Sequence, residues 1–197
     1  MSGAESVPTT PGTPFGGGFY AGKVQQADGV YLVIVAPKAA ETSLAWKNAQ
    51  TTTAGTASLN DGLANSDAMN NASHAAAQYC RAYNGGGLDD WYLPAKDELE
   101  VCYRNLKPDS TANSTSHGAN TNSVPAAANY TAGSPAQTTA AAFKTGGAEA
   151  FTVPDFYWSS TELSAPSAWS QRFSDGGQSY NNKLSARLVR PVRRIKI

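Results

Sequence analysis

The sequence is poor in charge. Only 15% of its 197 residues are charged, and 15 acidic residues balance 15 basic ones. A formal net charge of zero leaves no global field to draw the chain onto nucleic acid or anionic lipid, so neither is expected as a partner. Cysteine is scarcer still. Cys80 and Cys102 are the only two, and they form no CxxC. The two histidines, His74 and His117, stand at no metal-ligand spacing, which argues against a zinc site. No stretch approaches the roughly eighteen apolar residues of a membrane-spanning helix, so no insertion is expected. The opening MSGAESVPTTPGTP has neither a basic start nor an apolar core, so it is not read as a secretory signal. There is no Gly-x-Ser-x-Gly and no phosphate-binding P-loop. Neither catalysis nor a cofactor is expected.

Polarity comes instead from Ser, Thr, Asn, Gln and Gly. With 18 Gly and 11 Pro, the composition suits a loop-rich protein working outside the cytosol. Nine Tyr and four Trp supply material for a core and for binding surfaces. Residues 1–18 read as a flexible arm, with Pro8, Pro11 and Pro14 among small polar residues and glycines at 16–18. Residues 19–197 read as one domain. Phe19–Val24 and Tyr31–Ala36 form a hairpin turned at Asp28-Gly29. Residues 41–66 read as loop with small helical or turn segments, containing Trp46.

Met69, Ala72, Ala76, Tyr79, Cys80 and Tyr83 recur at helical steps, predicting one helix capped at Asn65, Ser66 or Asp67 and ended by the glycines at 85–87. His74 is expected as a solvated residue on it, and His117 as a loop residue. A second helix follows Pro94, with Asp97 and Glu98 as helix-start charges in its first turn and Leu99, Cys102, Tyr103 and Leu106 inward. The two cysteines, on stripes of different helices, are expected as buried free thiols. Residues 109–150 read as a long loop excursion with a short helix near Thr138–Thr145. Strands are expected at Phe156–Thr161, Ala168–Phe173, Gln178–Lys183 and Ala186–Val192, with Trp91, Leu93, Trp158 and Trp169 in the core. The arginines at 187, 190, 193 and 194, with Lys196, read as outward charges on an edge strand.

Several blocks carry a family resemblance. Asp90-Trp91-Tyr92-Leu93-Pro94 is followed by Asp97-Glu98-Leu99. Then come Tyr157-Trp158-Ser159-Ser160-Thr161-Glu162, Ala168-Trp169, Phe173, Gly176, Lys183 and Val189-Arg190-Pro191-Val192-Arg193. Their order over 85–194 resembles the Lcl C-terminal domain family, which includes the end domain of a bacterial collagen-like adhesin and many phage proteins. Gly17-Gly18-Phe19-Tyr20, Val33–Lys38 and Asp61-Gly62 with Asn65 look like its phage members. The resemblance implies an α+β, C-type-lectin-like fold: two helices flanking a small twisted antiparallel sheet whose first and last strands pair, with a long irregular loop excursion.

It also implies a function. The expected protein is a phage virion component, at the tail fibre or tip, that recognises a host surface receptor or glycan. The arm would join it to other virion proteins, and a homotrimer is among the assemblies open to it. The alternative is a decoration or collar protein that meets only other virion proteins. An enzyme like the formylglycine-generating oxidases, which share such a fold, is the weaker reading. Calcium-dependent lectins would place oxygens at Glu162, Asp175, Asn181 and Asn182, but this chain lacks their Glu-Pro-Asn and Trp-Asn-Asp triplets and their disulfide cysteines, so no metal is expected. The candidate contact surface is the last hairpin: Ser170, Arg172, Ser174, Asp175, Gln178, Ser179, Tyr180, Asn181 and Asn182. Ser, Tyr and Asn beside a turn make adaptable recognition surfaces. Tyr180 would anchor, and the side chains are expected to project together from one face.

Overall fold

A computed structural model describes residues 6–197. Among them the chain is mixed α+β, with three α-helices and two sheets. The first sheet runs in the order β1 (Pro14–Phe15), β2 (Gly18–Gln26), β3 (Gly29–Val35), β9 (Val192–Lys196). The second runs β4 (Thr42–Ala45), β8 (Ala186–Val189), β5 (Phe156–Ser164), β6 (Ser167–Arg172), β7 (Gln178–Asn182). Two sheets therefore stand where one small sheet was expected. The second is not purely antiparallel, since β5 and β8 run parallel at Tyr157 and Leu188.

The predicted N-terminal hairpin forms, and β3 pairs antiparallel with β9. Alternation along β3 sends Val33 and Val35 to one side and Leu32 and Ile34 to the other. Both sides are covered. Helix α3 (Lys96–Leu106) brings Leu99, Cys102, Tyr103 and Leu106 to the first, and Trp91 closes the second. A third apolar cluster holds Trp46, Met69, Cys80, Leu93 and Trp158. Cys80 and Cys102 are buried free thiols in different clusters.

The single helix expected at 65–83 is two: α1 (Gly62–Ala68) and α2 (Ala75–Ala82). The cap is Asp61, whose carboxylate accepts from Ala64 N at 3.0 Å. Gly62 is forced by close approach, because a Cβ there would lie 2.5 Å from Ala95 N. His74 is not solvated; it sits buried at the N-cap of α2. Asp97 and Glu98 are also buried. Glu98 ties the two helix starts together, accepting from Ala95 N at 2.8 Å, Gly62 N at 3.1 Å and Tyr92 OH at 2.7 Å. Burial nevertheless pushes its carboxyl up to about 7.

The predicted last strand divides at Arg190-Pro191 into β8 and β9, one per sheet. Its charges are not simply outward. Arg190 is buried and paired with Glu149, while Arg193 and Arg194 reach Asp90 and Asp61. The long excursion holds a 3-10 turn at Ala141–Phe143 rather than a longer helix. The arm lies partly outside the described residues, at 1–5. From Pro8 on it is not free. Pro8 is buried, Pro14–Phe15 pairs with β2, and Gly12 N donates to Tyr20 O at 2.8 Å.

Candidate functional site

The β6–β7 hairpin pairs Ser167 with Asn182, Trp169 with Tyr180, and Gln171 with Gln178. Between these lie Ala168 opposite Asn181 and Ser170 opposite Ser179. Successive side chains leave opposite faces of a strand, so the candidate residues divide. Gln178, Tyr180 and Asn182 share one face with Trp169. Ser170, Arg172, Ser179 and Asn181 share the other. The expected single contact face does not exist.

Two candidates are turned inward. Ser170 is buried, donating to Ser179 O at 3.3 Å and accepting from Asn181 Nδ2 at 2.6 Å. Gln178 is buried and accepts from Gly118 N at 3.2 Å. Ser174 and Asp175 lie half-buried in the turn. Asp175 is gripped by Arg172, with Nε to Oδ1 at 2.8 Å, and also accepts from Gly177 N at 3.0 Å. Burial pushes the Asp175 carboxyl up, but these donors outweigh it and hold it below the usual carboxylate range. Arg172 is thus spent on its own turn. Asn181 accepts from Arg187 at 2.8 Å.

On the other face Gln178 is held by Gly118 N, and Asn182 Oδ1 accepts from Leu184 N at 3.0 Å, but the middle of the face is open. Tyr180 is 60% exposed. Its ring stands edge-on to Trp169, with centroids 6.3 Å apart and planes at 88°. The Lys96 ammonium, from the start of α3, lies 5.2 Å from the Trp169 ring centre. Lys96 is placed there by its own N–H, which donates to Thr161 Oγ1 at 3.0 Å. Trp169 is half-buried rather than core. Three of the four indole N–H groups donate to carbonyls: Trp46 to Ser159, Trp91 to Gly85, Trp158 to Leu44. Trp169 has no such acceptor among the described residues. The sequence places Trp169 in the core and gives Lys96 no role, so neither stood among the candidate contact residues. Only the cross-strand register, which sets Trp169 beside Tyr180, could have raised the first.

The far end of the hairpin is anchored by an interior cluster. Lys183, directly after β7, is buried and pairs with Glu162 of β5; its ammonium also donates to Thr51 O at 3.0 Å. Glu162 accepts from Thr53 N at 3.1 Å. Lys47 donates to Thr53 Oγ1 at 2.8 Å, and that hydroxyl meets His74 Nε2 at 2.9 Å. Asn71 Oδ1 already accepts from Ser73 N, so His74 Nδ1 carries the proton it offers there, at 2.9 Å, and Nε2 accepts from Thr53. Burial, then Lys47 and Lys183, push the His74 imidazole down to about 4. Glu162 and Asp175 thus each face a cation. Among the described residues no three His, Cys, Asp or Glu side chains gather as a metal site would need.

The model of the Lcl C-terminal domain family matches residues 38–193. No curated protein and no solved structure matches the chain.

Proposed function

Taking as premise that this chain belongs to the Lcl C-terminal domain family, we propose that it is a non-catalytic recognition module carried on a phage particle. It binds a host surface receptor or glycan through the Lys96, Trp169 and Tyr180 face. The observation that carries this reading is the unspent Trp169 indole N–H beside the exposed Tyr180 ring. Polar groups of a packed interior find partners. A half-buried indole with no acceptor, set against a rigid aromatic with a polar tip, offers apolar contact and directed hydrogen bonds together. A sugar ring, with its apolar C–H face and rim of hydroxyls, has the matching chemistry. The C-type-lectin-like reading of the fold is supported by the pairing of the N-terminal hairpin with the last strand. Against catalysis, burial pushes both thiols up, away from the reactive thiolate. The N-terminal segment is read as the link to other virion proteins.

The test is binding of purified protein to host cells and to extracted surface glycan. Trp169→Ala and Tyr180→Ala should each weaken binding about tenfold, as loss of an aromatic hot spot does. Unchanged binding by the folded double variant removes this face. Wild-type protein that binds no host surface but joins particles favours the decoration role.

A further inference from the structure

Four strands bound the two sheets: β1 and β9 in one, β4 and β7 in the other. Three of these edges are blunted in ways that suppress pairing with other chains. Strand β1 has two residues and opens with Pro14, and β9 carries Arg193, Arg194 and Lys196. On β4, the Leu44 carbonyl takes the Trp158 indole N–H at 3.0 Å, and α2 packs against the strand. Strand β7, Gln178-Ser179-Tyr180-Asn181-Asn182, has no charge and no proline, and of its five residues only Gln178, beside Gly118, is buried.

The register shows which of its backbone groups are unspent. Arg172 N donates to Gly177 O at one end of the hairpin, and Lys183 N to Pro166 O at the other. Ladder bonds fall on alternate residues. Ser179 and Asn181 therefore turn their backbone groups toward β6, and Gln178, Tyr180 and Asn182 turn theirs outward. Among the described residues only one of these outward groups meets another backbone group: the Asn182 carbonyl, which accepts from Ser185 N at 2.9 Å.

We infer that β7 is a self-association edge, along which a second copy of this chain pairs antiparallel about a two-fold axis through Tyr180. Tyr180 lies at the centre of the five residues. In that register it faces its own copy, and Gln178 faces the second copy's Asn182. Each outward N–H meets an outward carbonyl, the pattern an isologous contact requires. On one face the two Tyr180 rings stand opposite each other, a favourable cross-strand pair. On the other, Ser179 stands opposite Asn181, a hydroxyl against an amide. No charge opposes a like charge. A foreign strand would need its own complement to this sequence, whereas a second copy brings it. The two sheets become continuous, and two Trp169–Tyr180 pairs come to lie side by side, which would double the contacts available to a repetitive surface. The inference stands whether or not that face binds a glycan. A contact this short belongs to the transient class, so the dimer is concentration-dependent.

Sedimentation from about 10 µM to about 1 mM tests it, a range that brackets weak association. The wild-type mass should rise toward twice the monomer. Tyr180→Pro removes the central outward N–H and spares the ladder to β6, so it should stay monomeric with an unchanged melting temperature. Tyr180→Lys and Tyr180→Glu should each be monomeric alone, and their equimolar mixture should dimerise. A wild type that stays monomeric throughout, or charge variants that associate as the wild type does, overturns the proposal. Should the proline variant fail to fold, the charge pair decides.

Discussion

Two lysines of this protein lie over tryptophan rings, and their surroundings differ in every other respect. Lys183 sits 4.7 Å from the Trp46 ring centre, and Lys96 lies 5.2 Å from that of Trp169. The Lys183–Trp46 pair is wholly buried. Its ammonium bonds to Glu162 and Thr51, and its indole to Ser159 O at 2.9 Å. The Lys96–Trp169 pair is half-buried, its nearest carboxylate is Asp97 at 3.7 Å, and its indole N–H has no acceptor among the described residues. The same two residue types thus make a strut in one place and leave an open, half-buried pair in the other. What separates them is whether the polar atoms are already spent. Saturated groups in low dielectric hold structure, and removing one partner strands the other.

The comparison breaks most forcefully at Lys183. Lys183→Met leaves Glu162 buried without its cation, and such losses cost about 3–5 kcal/mol. Chemical denaturation should show that loss, with the hairpin end frayed. Adding Glu162→Leu should restore much of the stability, because an apolar pair tolerates this site better than a lone charge. A loss under about 1 kcal/mol for the single variant would mean that Glu162 is satisfied by Thr53 and Thr56 alone.

The same cluster predicts an acid-side limit. His74 is neutral in the folded protein, facing Lys47 and Lys183 as well as Glu162, with its imidazole pushed down to about 4. An unfolded histidine takes up its proton near 6.5. Between these values the unfolded chain binds more protons, so stability falls as pH drops from about 6.5 to about 4. At 1.36 kcal/mol per unit the loss is at most about 3 kcal/mol, and solvent screening makes it smaller. Glu98 works the opposite way, since its raised carboxyl costs stability as pH rises from about 4.5 toward 7. Denaturation curves at several pH values should show the acid-side slope in wild type and a flatter one in His74→Gln.

Much of this frame was legible in the sequence. The N-terminal hairpin, α3, the last hairpin and both thiols lie where periodicity and turn residues put them. What was not legible depends on distant partners. His74 and Glu98 carry ordinary solvent-facing residue types, and only packing against Thr53 and Gly62 makes them interior. Of the apolar residues whose spacing predicts one helix, Met69 and Ala72 fall in the break between α1 and α2, so the periodicity ran straight across it. Trp158 and Trp169 read alike as strand aromatics, and burial alone distinguishes them. Within the hairpin the polar composition singles out β6 and β7. The alternation that divides Ser179 and Asn181 from Tyr180 and Asn182 was available in the residue numbers, yet the composition obscured it; the division of Arg172 from Tyr180 needs the cross-strand register.

A smaller effect is expected on the exposed side. Tyr180→Ala should leave stability within about 0.5 kcal/mol, since most of the ring is already in water. Trp169→Ala should cost more, because its half-buried ring backs Tyr180. The asymmetry between thermal melts and binding loss is the signature sought. Large stability losses at both sites would make this face a second strut.

The smallest expected effect is at Lys96, and it is the one that separates a cation's role from an aromatic's. The Lys96 ammonium is near Trp169 but tightly bound to nothing, with Asp97 only at 3.7 Å. A cation over an exposed ring contributes about 0.5–1 kcal/mol. Lys96→Met keeps a stem of similar length over the indole and removes the charge. Stability should change by less than about 0.5 kcal/mol. If the bound group is neutral, affinity should move by less than about threefold and salt should have little effect on either protein. If it is anionic, Lys96→Met should weaken binding further, and wild-type binding should fall with added salt while the variant's does not. Titrating salt against both proteins on the same surface extract therefore reads the charge of the ligand.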